Sequence, residues 1–293
     1  LHNLRKTVER AGVQVENIVI SPLALTRSVL NEGEREFGAT VIDLGGGQTT
    51  VAVMRNQELQ YTNIYQEGGD YITKDISKVL TTSQSIAENL KFNYGIAYPQ
   101  DASEKEKFTV EVIGESTPVE VTERYLSEVI SARLRQIFDR VRQDLERTRA
   151  LDLPGGVVLV GGGAILPGIA ELAQEVLGAN TKLFVPNQIG IRNPAFASVI
   201  SFVEYVGGLE EVEKIAQRAV NGEDKMRQKP IDFTISRPRV VPTIQPEVTI
   251  PVETNEDNES SLHDFEEEHD ETQSATRSNI TDRLRGLFGS MFE

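Results

Sequence analysis

The chain has 293 residues, no cysteine, no tryptophan, three histidines and a formal net charge of −15. That length holds one large domain or two ordinary ones. The missing cysteines exclude disulfides and thiolate metal sites, and three scattered histidines argue against a zinc enzyme. The acidity is local: residues 240–276 carry eleven Asp or Glu and no Lys or Arg, which leaves −4 for the rest. Nucleic acid is not an expected partner, and no apolar run approaches the ~20 residues of a membrane span.

Residues 1–12 read as the end of an amphipathic helix, with Leu4 and Val8 on one face. The chain begins with Leu1 inside that pattern, so its natural start is expected to lie upstream. Ile18 to Ser21 is expected to form a short strand and Pro22 to Leu30 a helix. Residues 40–65 read as three strands, Thr40–Leu44, Thr49–Arg55 and Leu59–Ile64, the last two joined by a hairpin turn at Asn56-Gln57. The first strand feeds a glycine triplet, Asp43-Leu-Gly45-Gly46-Gly47. Such a turn lets backbone N–H groups approach a phosphate because no Cβ intervenes.

After Gly68-Gly69 the period becomes helical. Ile72, Ile76, Val79 and Leu80 share a face, and a second helix runs from about Ser83 to Tyr94. Phe108–Ile113 and Val119–Val121 form a small hairpin around Gly114. Thr122 caps a long helix whose apolar set is Leu126, Val129, Ile130, Leu134, Ile137, Phe138, Val141 and Leu145. Strand 157–160 then feeds a second triplet, Gly161-Gly162-Gly163, 116 positions after the first. A helix over 168–177, a strand at Leu183–Val185 and a helix opened by Asn193-Pro194 follow. Strands, an inserted helix-rich unit, and a return to strand–glycine–helix suit an α/β lobe carrying a subdomain.

Together these segments resemble the actin-like ATPase superfamily. Asp43, Gly45, Gly46, Gly47 and Thr49 match its second phosphate loop, Gly161, Gly162 and Gly163 its adenosine motif, and Glu88 and Lys91 a Glu-x-x-Lys element near the ribose and adenine. Taken alone, Glu88 and Lys91 fit a solvated i,i+3 pair. The resemblance implies ATP and Mg as cofactors. Glycine N–H groups would hold phosphate oxygens, Asp43 would orient metal-bound water, and the Thr49 hydroxyl would add a donor. Gln48 and Thr50 depart from the usual pattern, and fast hydrolysis is not expected.

The stretch from Gly68 to Ile76, the stretch Asn193 to Val199 and the tail narrow the likeness to the FtsA family of cell-division proteins. That likeness implies an actin-like α/β fold whose second lobe is largely complete and whose first lobe is mostly missing. Residues 1–30 would close the first lobe, 31–68 and 151–222 form the second, and 69–150 be the inserted subdomain. It further implies that a carboxyl-terminal peptide of FtsZ docks on that subdomain and that the protein self-associates into filaments. The long helix offers Arg124, Arg133, Arg135 and Arg140; a plain solvated face also explains them. Arg133 is favoured by its surrounding segment.

Residues 223–277 read as a disordered acidic linker, poor in large apolar residues. In the tail, 278–293, Ile280, Leu284, Leu287, Phe288, Met291 and Phe292 lie on one helical face beside Arg283 and Arg285. A helix docked back on the body would show the same stripe. An interfacial helix on the anionic inner membrane surface fits a long tether better. The expected location is therefore the cytoplasmic face of the membrane at the division site. A sugar or acetate kinase would need an acceptor pocket and base, and a chaperone ATPase a peptide-binding β domain; neither is recognisable.

Overall fold

The computed structural model describes residues 1–15, 17–188 and 190–209. It opens with α1 (His2–Arg10), α2 (Ser21–Val29) and α3 (Glu32–Phe37), followed by a meander of β1 (Ala39–Leu44), β2 (Thr49–Arg55) and β3 (Glu58–Tyr65). Next come α4 (Gly69–Val79), α5 (Gln84–Tyr94), a ribbon of β4 (Lys107–Val110) and β5 (Val119–Thr122), and the 26-residue α6 (Glu123–Thr148). Then follow β6 (Val157–Val160), α7 (Ile169–Leu177), β7 (Thr181–Leu183) and α8 (Ala197–Gly207).

The larger sheet has the order β3-β2-β1-β6-β7, antiparallel within the meander and parallel from β1 through β6 to β7. Inner strands are covered on both faces, so β6 is wholly buried and β2 is buried up to Arg55. At the sheet edge β3 alternates exposed and half-buried residues, as a one-sided strand must. Leu25, Val29 and Leu30 pack with Val41, Met54, Val158, Val160 and Ala197 in one core cluster. The helix-rich insertion is built on α6, which packs against α4 and α7. The apolar set read for this helix is buried throughout.

Local chemistry sets the boundaries. The Thr122 hydroxyl accepts from the Tyr125 N–H at 3.2 Å to start α6, and Ser83 caps α5 through the Ile86 N–H. Asn56 and Gln57 take φ values of 54° and 61°, the double left-handed pattern of a tight hairpin turn. Their amides donate to the carbonyls of Glu36 and Arg35, which ties the hairpin to α3.

That helix was not expected, although its signal is in the sequence: Asn31 and Glu34 form a reciprocal capping box. Two expectations are corrected. Ile20 is extended, but Ile18–Ser21 joins no sheet among the described residues, and Ser21 already begins α2 with Pro22 in its first turn. The last strand is Thr181–Leu183 rather than 183–185, because those residues pair with Val157–Leu159.

Phe138 is fully buried in α6. Phe138→Ala should cost ~3–5 kcal/mol and Asn31→Ala ~1 kcal/mol, both measured by urea unfolding. Equal midpoints for the two variants would show that α6 is not the core of the insertion.

Candidate nucleotide-binding site

β1 and β6 are parallel neighbours with Asp43 opposite Val160, so both glycine turns leave the same end of the sheet side by side. In the first, the Gly45 N–H donates to the Gln48 carbonyl at 3.0 Å, which leaves Gly46 and Gly47 exposed. The second begins at Gly161, whose φ of +92° is one that L side chains rarely adopt. A Cβ there would stand 2.3 Å from Asp43 Oδ1 and 2.7 Å from the Leu44 carbonyl oxygen. Gly163 presses on Leu44, whereas Gly162 borders open space.

Asp43 sits half-buried between the turns and accepts a hydrogen bond from the Ser198 hydroxyl of α8 at 3.0 Å. Burial pushes its carboxyl above the usual range, and the Ser198 bond offsets part of that. The first turn rests on the start of α4. The Gly69 N–H donates to the Gly45 carbonyl at 3.0 Å and the Asp70 N–H to the Gly46 carbonyl at 2.9 Å. Gly68 permits this approach, since a Cβ would lie 2.4 Å and 2.5 Å from the same two carbonyl oxygens.

The other expected residues are placed as follows. Thr49 is fully buried and donates its hydroxyl to the Glu67 carbonyl at 2.8 Å, so it secures the turn from behind. Lys91 is no solvated partner: its ammonium reaches the Gly69 carbonyl at 3.0 Å, Thr73 Oγ1 at 2.8 Å and Glu88 Oε2 at 2.7 Å. Burial works to raise the Glu88 carboxyl. Hydrogen bonds from Lys91 and Thr73, with the Lys91 charge, outweigh it and hold the group below its ordinary value. The pair thus joins the floor of the first turn through Gly69.

Arg133 grips Asp75 of α4 with both arms, Nε to Oδ2 at 2.5 Å and Nη2 to Oδ1 at 3.1 Å, and its guanidinium lies 5.5 Å from the Tyr71 ring centre. Only 16% of its side chain is exposed. Its charge is therefore used first to hold α6 to α4. Arg124, Arg135 and Arg140 have acidic partners too, in Glu128, Glu175 and Glu67. Ile280, Leu284, Leu287, Phe288, Met291, Phe292, Arg283 and Arg285 lie outside the described residues, as does the linker. Sequence reasoning missed the hydroxyl bond of Ser198 to Asp43, although Ser198 lies in the stretch Asn193 to Val199 that marks the family likeness, and it missed the double role of Glu67, which lies in no motif.

Two glycine turns closing on one carboxylate at the end of a mixed sheet define an actin-like α/β protein. Solved structures show the same fold. MreB5 of Spiroplasma citri bound to ADP aligns with a TM-score of 0.60 at 16% identity, over 75% of this chain and 67% of that one. A MamK double helical filament aligns at 0.54 and 14%, over 71% and 64%. The chain belongs to the cell division protein FtsA family, whose model matches residues 40–201, and the family's C-terminal model matches 212–293. It is 60% identical to FtsA of Streptococcus pneumoniae and 49% identical to that of Enterococcus hirae, in both cases over 100% of this chain. It spans 64% and 63% of the length of those relatives.

The raised Asp43 carboxyl means that the folded chain binds its proton more tightly than the unfolded chain does. Its ionisation therefore costs stability, a cost absent below about pH 4 and growing as pH rises through the folded pKa. Asp43→Asn should accordingly raise the melting temperature at pH 7, with a gain that shrinks towards pH 4. Gly161→Ala should lower it at every pH. Melting curves across that range test both, and a destabilised Asp43→Asn at pH 7 would contradict the first.

Proposed function

We propose that the chain binds ATP with Mg between the two glycine turns and serves as a filament-forming adaptor that tethers FtsZ to the cytoplasmic membrane. The observation that carries the nucleotide reading is the juxtaposition of the exposed Gly46–Gly47 backbone, the open flank of Gly162 and the half-buried Asp43 at one end of the sheet. These residues fit the cofactor. The first turn offers exposed glycine backbone to phosphate oxygens, with the Asp70 carboxylate alongside Gly46, and Gly162 has room beside it for a flat base. When bound, the metal would neutralise phosphate charge, and Asp43 would hold it through water. Glu88 and Lys91 would line the ribose side. The buried Thr49 would act by fixing the turn. Hydrolysis would be slow at most, given Gln48 and Thr50.

Membership of a cell-division family supports the adaptor reading, and the ADP bound to MreB5, which shares the fold, supports the nucleotide reading. On this reading an FtsZ carboxyl-terminal peptide docks on the helix-rich unit, where Arg133 orients α6 against α4 and supplies positive charge. The tail, 278–293, lies on anionic lipid. One such short helix binds reversibly, so filaments are needed to hold many copies on the surface at once.

Three outcomes test this. Gly162→Val should abolish ATP binding in calorimetry with little change in melting, because a Cβ there meets no atom within 4 Å. Arg133→Glu should weaken an FtsZ tail peptide by roughly tenfold or more in fluorescence anisotropy, as expected for losing a desolvated charge pair. Deleting 278–293, or replacing Leu287 and Phe288 by Glu, should release the protein from anionic liposomes. Each buried apolar side chain contributes ~1.5–3 kcal/mol. A tail-less variant that still sediments with liposomes would favour the docked-helix alternative.

A further inference from the structure

The segment from Asn193 to Ser198 touches both glycine motifs at once. Asn193 caps a short turn over Pro194–Phe196 by accepting from the Ala195 N–H at 2.9 Å. Within that turn the Pro194 carbonyl accepts the Gly161 N–H at 3.1 Å and so fixes the second turn. Four residues on, Ser198 donates to Asp43 Oδ2 at 3.0 Å and so reaches the end of the first strand. Between them Ala197 is fully buried in the core cluster with Val158 and Val160, which leaves the segment no freedom to slide.

A serine in the first turn of a helix commonly turns its hydroxyl back on its own backbone. Ser201, one turn later, does so by donating to the Ala197 carbonyl. Ser198 instead spends its donor on a carboxylate from another element. A hydrogen bond to an ionised oxygen is shorter and stronger than a neutral one. It fixes which oxygen of Asp43 faces α8, while the other lies against Gly161, whose missing Cβ makes the space.

We infer that Ser198 is the positioning residue for Asp43: its hydroxyl fixes the orientation in which that carboxylate meets a metal–nucleotide complex, and the 193–198 segment sets the two glycine turns at a fixed separation. The part concerning the metal rests on the nucleotide reading above. Ser198 does not itself touch the nucleotide; it acts through Asp43.

The test uses Ser198→Ala and Ser198→Thr in the full chain with two readouts. One is the carboxyl ¹³C titration of Asp43 in nucleotide-free protein. The other is the gain in fluorescent ATP-analogue affinity on adding Mg over EDTA. Ser198→Ala should move the Asp43 titration upward and reduce the Mg-dependent gain by roughly tenfold, the loss expected for one charged hydrogen bond. Affinity in EDTA should stay as in the parent, and Ser198→Thr should keep both signals. An unchanged titration and an unchanged Mg gain in Ser198→Ala would overturn the inference. So would an equal loss with and without Mg, which would mark general loosening. If the parent binds no nucleotide at all, the nucleotide reading fails, and the titration alone then decides whether Ser198 holds Asp43.

Discussion

The parallel pairing of β1 with β6 is the constraint on which the remainder depends. It sets Asp43 level with Val160, so the two glycine turns must emerge together and share the space around one carboxylate. That space exists only because Gly161 has no Cβ. The first atom of a side chain would overlap Asp43 Oδ1, and the φ of +92° would be strained before any contact was counted. Gly163 meets Leu44 from the same side, so the second turn is seated on the last residues of β1. Each turn is thus part of the other's packing, and neither could shift without moving Asp43.

The helix-rich insertion is fastened to this arrangement rather than merely following it in sequence. α4 begins directly under the first turn and donates two backbone N–H groups to it. Lys91 reaches across from α5 to the Gly69 carbonyl, so α5 is bound to the peptide whose Asp70 N–H supports the Gly46 carbonyl. Glu67 works at both ends, since its carbonyl takes the Thr49 hydroxyl while its carboxylate pairs with Arg140 and lies 3.9 Å from Arg133. The pair of Arg133 with Asp75 is mostly shielded from water, where desolvation offsets much of the Coulomb gain. Its two-armed geometry still favours one orientation of α6 on α4, because both bonds must be met together.

Strands and long helices were legible in the sequence for simple reasons. β1, β2 and β6 are short β-branched runs, and the 3.6-residue period of α6 repeats long enough to exclude a strand. Strand order was not legible, because the pairing of β1 with β6 spans the whole insertion and no local pattern records it. The short α3 escaped notice because one turn and a half gives no period; only its capping box marks it. Ile18–Ser21 has strand-like residues but no neighbour to pair with among the described residues, so propensity went unused. Asp43 and the glycines could be read as candidates because backbone geometry restricts which residues can stand at such turns. For the ionic residues the position was readable and the role was not. The same Glu-x-x-Lys spacing describes a solvated pair or a buried lysine with three acceptors, and only the approach of α4 decides between them.

Several places where the chain breaks its own local rules fall together, although Thr81 and Arg149 hold left-handed backbone elsewhere. A carboxylate is half-buried with a hydroxyl as its hydrogen-bond donor, a glycine holds a left-handed backbone at the end of a strand, and another glycine admits two carbonyl oxygens at a distance no Cβ would allow. Each of these carries a cost to the fold. Burial of Asp43 works against it, and glycine gives up more chain entropy on folding than any other residue. Much of the remainder follows ordinary rules: side-chain caps on α3, α5 and α6, a covered central sheet, and an apolar stripe on α6 that is buried throughout. Destabilising features gathered at one end of a well-formed sheet are what a binding site requires, because a carboxylate fully satisfied by its own chain would have nothing left to offer a ligand. Ser198 is the smallest donor that reaches Asp43 from α8 while leaving the other carboxylate oxygen unengaged by any side-chain donor among the described residues. That economy explains why a serine, rather than a lysine or arginine, stands opposite Asp43.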